Sequence, residues 1–103
     1  MKTKISDFGI LRNHLYALST MEKSIHSRHQ RKLQELLRQV RREANLRQVD
    51  LAQKLGEPQS FVSKYENGER RLDILEIREV CMAIGIPLEE FARRLEGRLH
   101  EES

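Results

Sequence analysis

The chain has 103 residues, a formal net charge of +3 and 34% charged residues, which suits one soluble domain and leaves little room for a second. No apolar run approaches the ~18 residues of a membrane span, and the amino end lacks the pattern of a secretory signal. A single cysteine, Cys81, excludes an internal disulfide and is typical of a reducing compartment, so we expect a cytoplasmic protein with no membrane partner.

The basic charge is concentrated in the middle of the chain. Residues 28–71 hold eleven Lys and Arg against six Asp and Glu, whereas residues 72–103 hold four against eight. Clustered basic charge indicates either a nucleic-acid-binding surface or a solvated helical face. The acidic carboxyl-terminal third is also suited to a basic protein partner.

Residues 1–28 are interpreted as an amino-terminal extension. Apolar residues spaced by three and four predict an amphipathic helix that begins at about Ser6 or Asp7, with the stripe Phe8, Leu11, Leu15 and Leu18. His26 and His29 lie three apart, but no cysteine or carboxylate cluster accompanies them. We therefore expect no metal site and no cofactor.

A clear helical pattern runs from Gln30 to Ala44. Its apolar stripe consists of Leu33, Leu36, Leu37, Val40 and Ala44. Asn45 tolerates the left-handed backbone that ends a helix. A second, shorter pattern follows, in which Leu51, Ala52 and Leu55 share one face and Gly56 supplies the turn.

A third short helix is predicted between Pro58, which suits a first helical turn, and the stop signal Asn67-Gly68. The phase of this helix turns three apolar side chains inward, namely Phe61, Val62 and Tyr65. It leaves four polar side chains outside, namely Gln59, Ser60, Ser63 and Lys64. These outer groups donate or accept hydrogen bonds, as a surface that reads another molecule must.

Two more helices complete the pattern. Asp73 and Glu76 form a capping-box-like start, and Gly85 ends this fourth helix, whose stripe is Ile74, Ile77, Val80, Cys81 and Ile84. Cys81 is best interpreted as a small core residue. Pro87 begins the last helix, which extends to about Arg98 with the stripe Leu88, Phe91, Ala92, Leu95 and Leu99. Leu88, Phe91, Leu95 and Leu99 are candidates for a dimer interface, and closure of the bundle core is the equal alternative.

The stretch QVDLAQKLGEPQSFVSKYENG, residues 48–68, resembles the helix-turn-helix of the phage-repressor and Cro-like family, often called the Xre family. The resemblance depends on spacing, with Ala52 fifth from Gln48, Gly56 ninth and Val62 fifteenth. It implies an all-α, five-helix phage-repressor-like DNA-binding domain over residues 29–99, with a candidate extra helix in front and a tail at 100–103.

The resemblance also implies roles for particular residues. Gln59 and Ser60 stand where the family reads bases, with Ser63 and Lys64 one turn further on. Gln48 matches a position that touches phosphate and supports Gln59. Arg41 and Glu66 match a pair that fixes the angle between the first and third helices; a solvated arginine is the alternative for Arg41.

Further phosphate contacts are expected from basic or polar residues around the two short helices, namely Arg47, Asn67, Arg70 and Arg71. Arg47 departs from the family pattern, because Thr or Ser usually caps the helix there.

Together these patterns predict a sequence-specific double-stranded DNA-binding transcription regulator without catalysis. The sequence shows no sensor or cleavage domain, so we expect the protein to act by occupying an operator, as a repressor that binds a near-palindromic site as a homodimer. A protein-interaction adaptor, or an antitoxin whose main partner is another protein, is the alternative. An enzyme is disfavoured because the sequence has no Gly-rich phosphate loop and no nucleophile motif.

Overall fold

The computed structural model describes residues 19–102, with side chains from residue 27 to residue 101. This part of the chain folds into helices α1 (Ser19–Glu43), α2 (Gln48–Leu55), α3 (Gln59–Glu66), α4 (Ile74–Ile84) and α5 (Leu88–Glu102) and contains no strand. The prediction of an all-α, five-helix fold is confirmed. The helix predicted around Phe8–Leu18 lies outside the described residues. None of the described helices is long and apolar enough to cross a membrane.

The first and last helices are longer than predicted. α1 begins at Ser19 instead of near Gln30, so it crosses the predicted boundary at residues 28 and 29. Its first turns contain neither Gly nor Pro, but they also lack an apolar stripe, so periodicity gave no signal there. α5 continues past Arg98 to Glu102, into the predicted tail.

The five helices enclose one hydrophobic core. α2 packs against α3 and α4, α1 packs against α3 and α5, and α5 also contacts α4. The buried apolar side chains come from every helix: Leu36, Leu37, Val40, Leu51, Ala52, Val62, Tyr65, Ile77, Val80, Cys81 and Phe91. Cys81 is only 1% exposed, which confirms its interpretation as a core residue, and burial raises the pKa of its thiol to about 11.

One prediction about a buried stripe needs correction. Ile74 has the phase of the buried face of α4 but is 62% exposed, because phase fixes the direction of a side chain and not whether a neighbour reaches it. Phe91, a candidate for the dimer interface, is only 2% exposed in the core. Leu88 and Leu95 are half-buried and pack against that core. The alternative, closure of the bundle, accounts for these three side chains.

The turns around α3 depend on glycine. Gly56 ends α2 with φ +70°, and the backbone N–H of Glu57 then donates to the carbonyl of Ala52 at 2.9 Å. Gly68 has φ +84°, and a Cβ there would lie 2.8 Å from Nε2 of Gln34 in α1. The loop after α3 therefore lies directly on α1.

Of two predicted helix starts, the one at α4 is confirmed and the one at α3 is shifted by one residue. At α4 the capping box is present, since the Glu76 N–H donates to Asp73 Oδ1 at 2.7 Å and the Asp73 N–H donates to Glu76 Oε1 at 2.9 Å. Pro58 lies at the cap position of α3, one residue earlier than predicted, with φ −69° and ψ 156°. This extended backbone places the first helical turn at Gln59.

Candidate nucleic-acid interface

The exposed side of α3 carries the polar groups that sequence analysis placed there. Gln59, Ser60 and Lys64 are exposed and Ser63 is half-buried. The opposite side of α3 is apolar, with Val62 and Tyr65 fully buried. Phe61 is half-buried, and its ring meets the Tyr65 ring edge-on at 5.6 Å between centroids. The core therefore fixes which side of this short helix faces outward.

An ion pair between α1 and α3 lies behind this surface. Arg41 donates from Nε to Glu66 Oε2 at 2.7 Å and from Nη2 to Glu66 Oε1 at 3.0 Å. Its Nη1 also donates to the carbonyl of Leu46 at 2.8 Å. Arg41 is 7% exposed and Glu66 is 2% exposed. This two-pronged, buried ion pair joins the two helices.

The charges of this pair are held in place by their neighbours. Burial alone raises the pKa of the Glu66 carboxyl, but hydrogen bonds from Arg41 and Gln48 and the charges of Arg41 and Arg38 outweigh it, so the pKa lies below its usual value. The hydrogen bonds with Glu66 raise the pKa of Arg41 against the opposing effect of burial. Both groups are therefore ionised at neutral pH.

A chain of amide hydrogen bonds joins this carboxylate to the outer surface. Nε2 of Gln48 donates to Glu66 Oε1 at 3.0 Å, and Nε2 of Gln59 donates to Gln48 Oε1 at 3.0 Å. A carboxylate only accepts hydrogen bonds, so Gln48 must direct its NH₂ group to Glu66 and its oxygen to Gln59. Gln59 is left with its Oε1 and one N–H for another molecule.

Arg38 is a residue of this site that sequence analysis did not single out. Its Nη2 donates to the carbonyl of Glu66 at 3.2 Å and to Asn67 Oδ1 at 3.5 Å, and its Nε lies 3.5 Å from Glu66 Oε1. A cation here stabilises the carboxyl end of α3. Its position three residues before Arg41 on α1 was the available signal.

The predicted phosphate-binding residues differ in whether their side chains already bind other groups of the protein. Arg47 donates to both carboxylate oxygens of Asp50 at 3.0 and 2.9 Å, and Asp50 also accepts from the Arg47 backbone N–H at 2.8 Å. The hydrogen bonds from the Arg47 side chain and backbone lower the pKa of Asp50 to about 2. Asp50 thus supplies one half of a capping box by accepting from the Arg47 N–H, while the Arg47 side chain makes no cap hydrogen bond in place of the usual Thr or Ser.

The loop after α3 contains one arginine that binds neighbouring side chains and one that is exposed to solvent. Arg70 lies 4.8 Å above the Phe61 ring and donates to Glu76 Oε2 at 2.9 Å. Arg71 is exposed, and its side chain makes no ion pair or hydrogen bond with the residues that the structure describes. Asn67 is exposed and donates to Ser63 Oγ at 3.4 Å. Within residues 27–101 no group of three metal-binding side chains converges.

Two short helices joined at a left-handed glycine, with a buried wedge and an exposed polar face on the second, define a helix-turn-helix DNA-binding domain. Residues 37–91, more than half of the chain, match the family model described as helix-turn-helix. No curated protein sequence matches the chain significantly.

Two solved structures are similar to this chain. An XRE-family like protein from Pseudomonas syringae pv. tomato str. DC3000 superposes with a TM-score of 0.71 and 42% sequence identity, over 76% of this chain and 95% of that chain. The clp gene regulator ClgR from Corynebacterium glutamicum superposes with a TM-score of 0.64 over 72% of this chain and 79% of that chain; at 19% identity this likeness shows a shared fold. The chain belongs to the XRE family of helix-turn-helix proteins, which are DNA-binding transcription regulators.

Proposed function

We propose that this protein is a transcriptional repressor that binds a near-palindromic operator as a homodimer. The observation that carries the proposal is the hydrogen-bonded chain from Glu66 through Gln48 to Gln59, which holds an exposed amide in one orientation. An amide fixed in this way suits base reading, because an operator is recognised by hydrogen-bond donors and acceptors at defined positions.

In this proposal α3 lies in the major groove, where an α-helix fits, and its amino-terminal side chains meet base edges. Gln59 offers one acceptor and one donor, the pair that adenine recognition requires. Ser60, Ser63 and Lys64 continue the same face along the groove, and the lysine suits the acceptors of guanine. α3 therefore supplies the sequence preference.

Contacts to the DNA backbone hold α3 in register without reading sequence. Gln48 begins α2, and the backbone N–H groups of a helix amino terminus favour an anion. Arg71 and Lys64 are exposed and make no side-chain ion pair with the described residues. Arg47, Asn67 and Arg70 already have partners in the protein, so each exchanges or shares a contact when phosphate binds.

Occupancy of the operator is sufficient for repression, since it denies the site to other proteins. A single α3 reads only a few base pairs, and two copies about one DNA turn apart, ~34 Å, double the length of sequence read. This is the reason to propose a symmetric dimer and a near-palindromic site.

Fluorescence anisotropy tests the proposal. Labelled DNA from upstream of the gene is compared with a scrambled duplex of equal composition at two salt concentrations. We expect tight, sequence-dependent binding that weakens with salt, and loss of the preference on Gln59→Ala. Gln53→Ala, which removes an exposed glutamine of α2, is the matched control and should keep the preference.

Arg71→Ala separates backbone contact from base reading. We expect weaker binding to both duplexes and a salt slope that is smaller by about 0.9 for one lost phosphate contact. Equal and weak binding of the unmodified protein to both duplexes would contradict the operator proposal. The adaptor or antitoxin alternative, with a protein as the main partner, would then be pursued.

A further inference from the structure

α4 carries an apolar surface that the core does not use. Leu75 is 70% exposed, Met82 is 63% exposed and Ile74 is 62% exposed. Leu75 and Met82 are seven residues apart, so they lie on one side of the helix two turns from each other. Ile77, Val80 and Cys81 occupy the opposite, buried side. α4 is thus apolar on both sides.

Two opposite charges flank this exposed stripe. Arg78 follows Leu75 by three residues and Glu79 follows it by four, so they lie on either side of the line from Leu75 to Met82. Both are exposed, and neither forms an ion pair or side-chain hydrogen bond with any residue that the structure describes. An apolar stripe with unpaired charges of opposite sign beside it is complementary to a copy of itself.

We propose that this side of α4, formed by Leu75, Arg78, Glu79 and Met82, is the interface with a second copy of the chain. The two α4 helices lie side by side and parallel, about a two-fold axis that runs along them. Leu75 then meets the partner's Leu75, and Met82 meets the partner's Met82. The surface is the same on both copies, as an isologous contact requires.

The charges select the parallel arrangement. In a parallel pair the two flanks of one helix face the opposite flanks of the other, as in parallel coiled coils. Arg78 therefore faces the partner's Glu79 on both sides of the stripe. In an antiparallel pair like flanks meet, and arginine would face arginine while glutamate would face glutamate.

This axis also suits DNA binding, a step that rests on the proposed function. α4 begins directly after the loop that holds Arg70 and Arg71, two proposed phosphate contacts. One end of a two-fold axis that runs along α4 therefore lies on the side of the protein that faces DNA in the proposed function. Both copies of α3 are then presented at that same side. Phe91, by contrast, is buried in its own core and does not reach a partner through α5.

Light scattering coupled to size exclusion, without DNA, tests the interface. We expect the protein to have about twice the 12.2 kDa mass of one chain and Leu75→Glu to have the mass of a monomer. Ala92→Glu places the same charge on an exposed position of α5 and should remain a dimer. Circular dichroism confirms that each variant is folded.

Charge exchange tests the pairing without relying on Leu75. Arg78→Glu and Glu79→Arg each bring like charges together at two places, and each should raise the dimer dissociation constant about tenfold. The double variant Arg78→Glu/Glu79→Arg restores opposite charges and should recover the original constant.

A Leu75→Cys protein should cross-link to itself with a short bismaleimide, because the copies meet at this residue. Cys81 is buried and its thiol pKa is raised, so it does not compete.

Three results would overturn the interface. They are a monomeric protein at all attainable concentrations, a Leu75→Glu protein that stays dimeric, and a charge exchange that does not recover dimerisation. Dissociation by Leu99→Glu but not by Leu75→Glu would place the interface on α5. A monomer that still prefers operator DNA would refute the α4 interface and leave the base-reading proposal intact. A dimer without that preference would refute base reading and leave the interface intact.

Discussion

The amide of Gln48, the first residue of α2, donates a 3.0 Å hydrogen bond to the carboxylate of Glu66, the last residue of α3. This contact links the buried ion pair to the exposed side of α3, because the same carboxylate binds Arg41 and the same glutamine binds Gln59. In the proposed function, Glu66 therefore contributes both to stability and to base preference. The two properties can still be separated experimentally.

Gln48→Met is the variant that isolates base reading. Methionine keeps the length of the side chain but neither accepts from Gln59 nor donates to Glu66 as the amide does. We expect discrimination at the base pair facing Gln59 to fall by about tenfold, which is within the ~1–3 kcal/mol of a good base contact. Anisotropy titrations against single-base operator variants measure this. If all duplexes weaken equally, Gln48 serves only the phosphate backbone.

Arg41→Met should destabilise the fold strongly. It leaves the buried carboxylate of Glu66 without its closest cation, and breaking such a pair costs about 3–5 kcal/mol. The double variant Arg41→Met/Glu66→Leu removes both charges and should recover most of the free energy of unfolding in urea titrations. It also removes the acceptor for Gln48, so it should stay deficient in base preference. Full recovery of both properties would show that Glu66 does not position Gln48.

Acid should weaken the fold through Glu66. Its pKa in the folded protein lies below the ordinary value of 4.5, so its contribution to stability is complete above that value and is lost as pH falls through the lower, folded-state pKa. The urea concentration at the midpoint of unfolding should therefore stay constant near neutral pH and decrease once the pH is below about 4.5. The Arg41→Met/Glu66→Leu protein should show a shallower fall. Its remaining pH dependence comes from other carboxylates with lowered pKa values, such as Asp50 and Glu76.

Tyr65→Phe should be tolerated, although Tyr65 is in the core. The Tyr65 hydroxyl is buried and bonds to no group among the described residues, and burial raises its pKa well above the usual range. Removing a buried, unpaired hydroxyl leaves stability unchanged or raises it by up to about 1 kcal/mol. Tyr65→Ala is the contrast and should cost roughly 3–5 kcal/mol through the cavity that it leaves. A large loss in Tyr65→Phe would reveal a partner for the hydroxyl.

Local patterns allowed much of this structure to be predicted from the sequence. The Asp73–Glu76 capping box and the left-handed turns at Asn45 and Gly56 depend on a few adjacent residues, and all three are present. The inward phase of Val62 and Tyr65 follows from the helical repeat. The two short helices could therefore be placed almost to the residue.

Features that depend on distant contacts could not be predicted in the same way. Arg38 acts on the carboxyl end of α3, 28 residues later in the chain, and its place one turn before Arg41 on α1 does not by itself show this contact. Ile74 is exposed although its phase is that of the buried face, and the helical repeat alone does not show which residues a neighbour covers. The first turns of α1 carry no apolar stripe, so only their freedom from Gly and Pro was visible. Contacts between distant elements and the missing apolar stripe at the start of α1 therefore limited the prediction.

The side chains of Ser60 and Lys64 point away from the core, and no hydrogen bond or ion pair ties them to the described residues. Substitutions at these two positions should carry little penalty in folding. Gln59 is anchored to Gln48 and changes less freely. If α3 reads bases as proposed, substitutions at Ser60 and Lys64 should retarget the protein to new DNA sites, while the base that faces Gln59 stays the same.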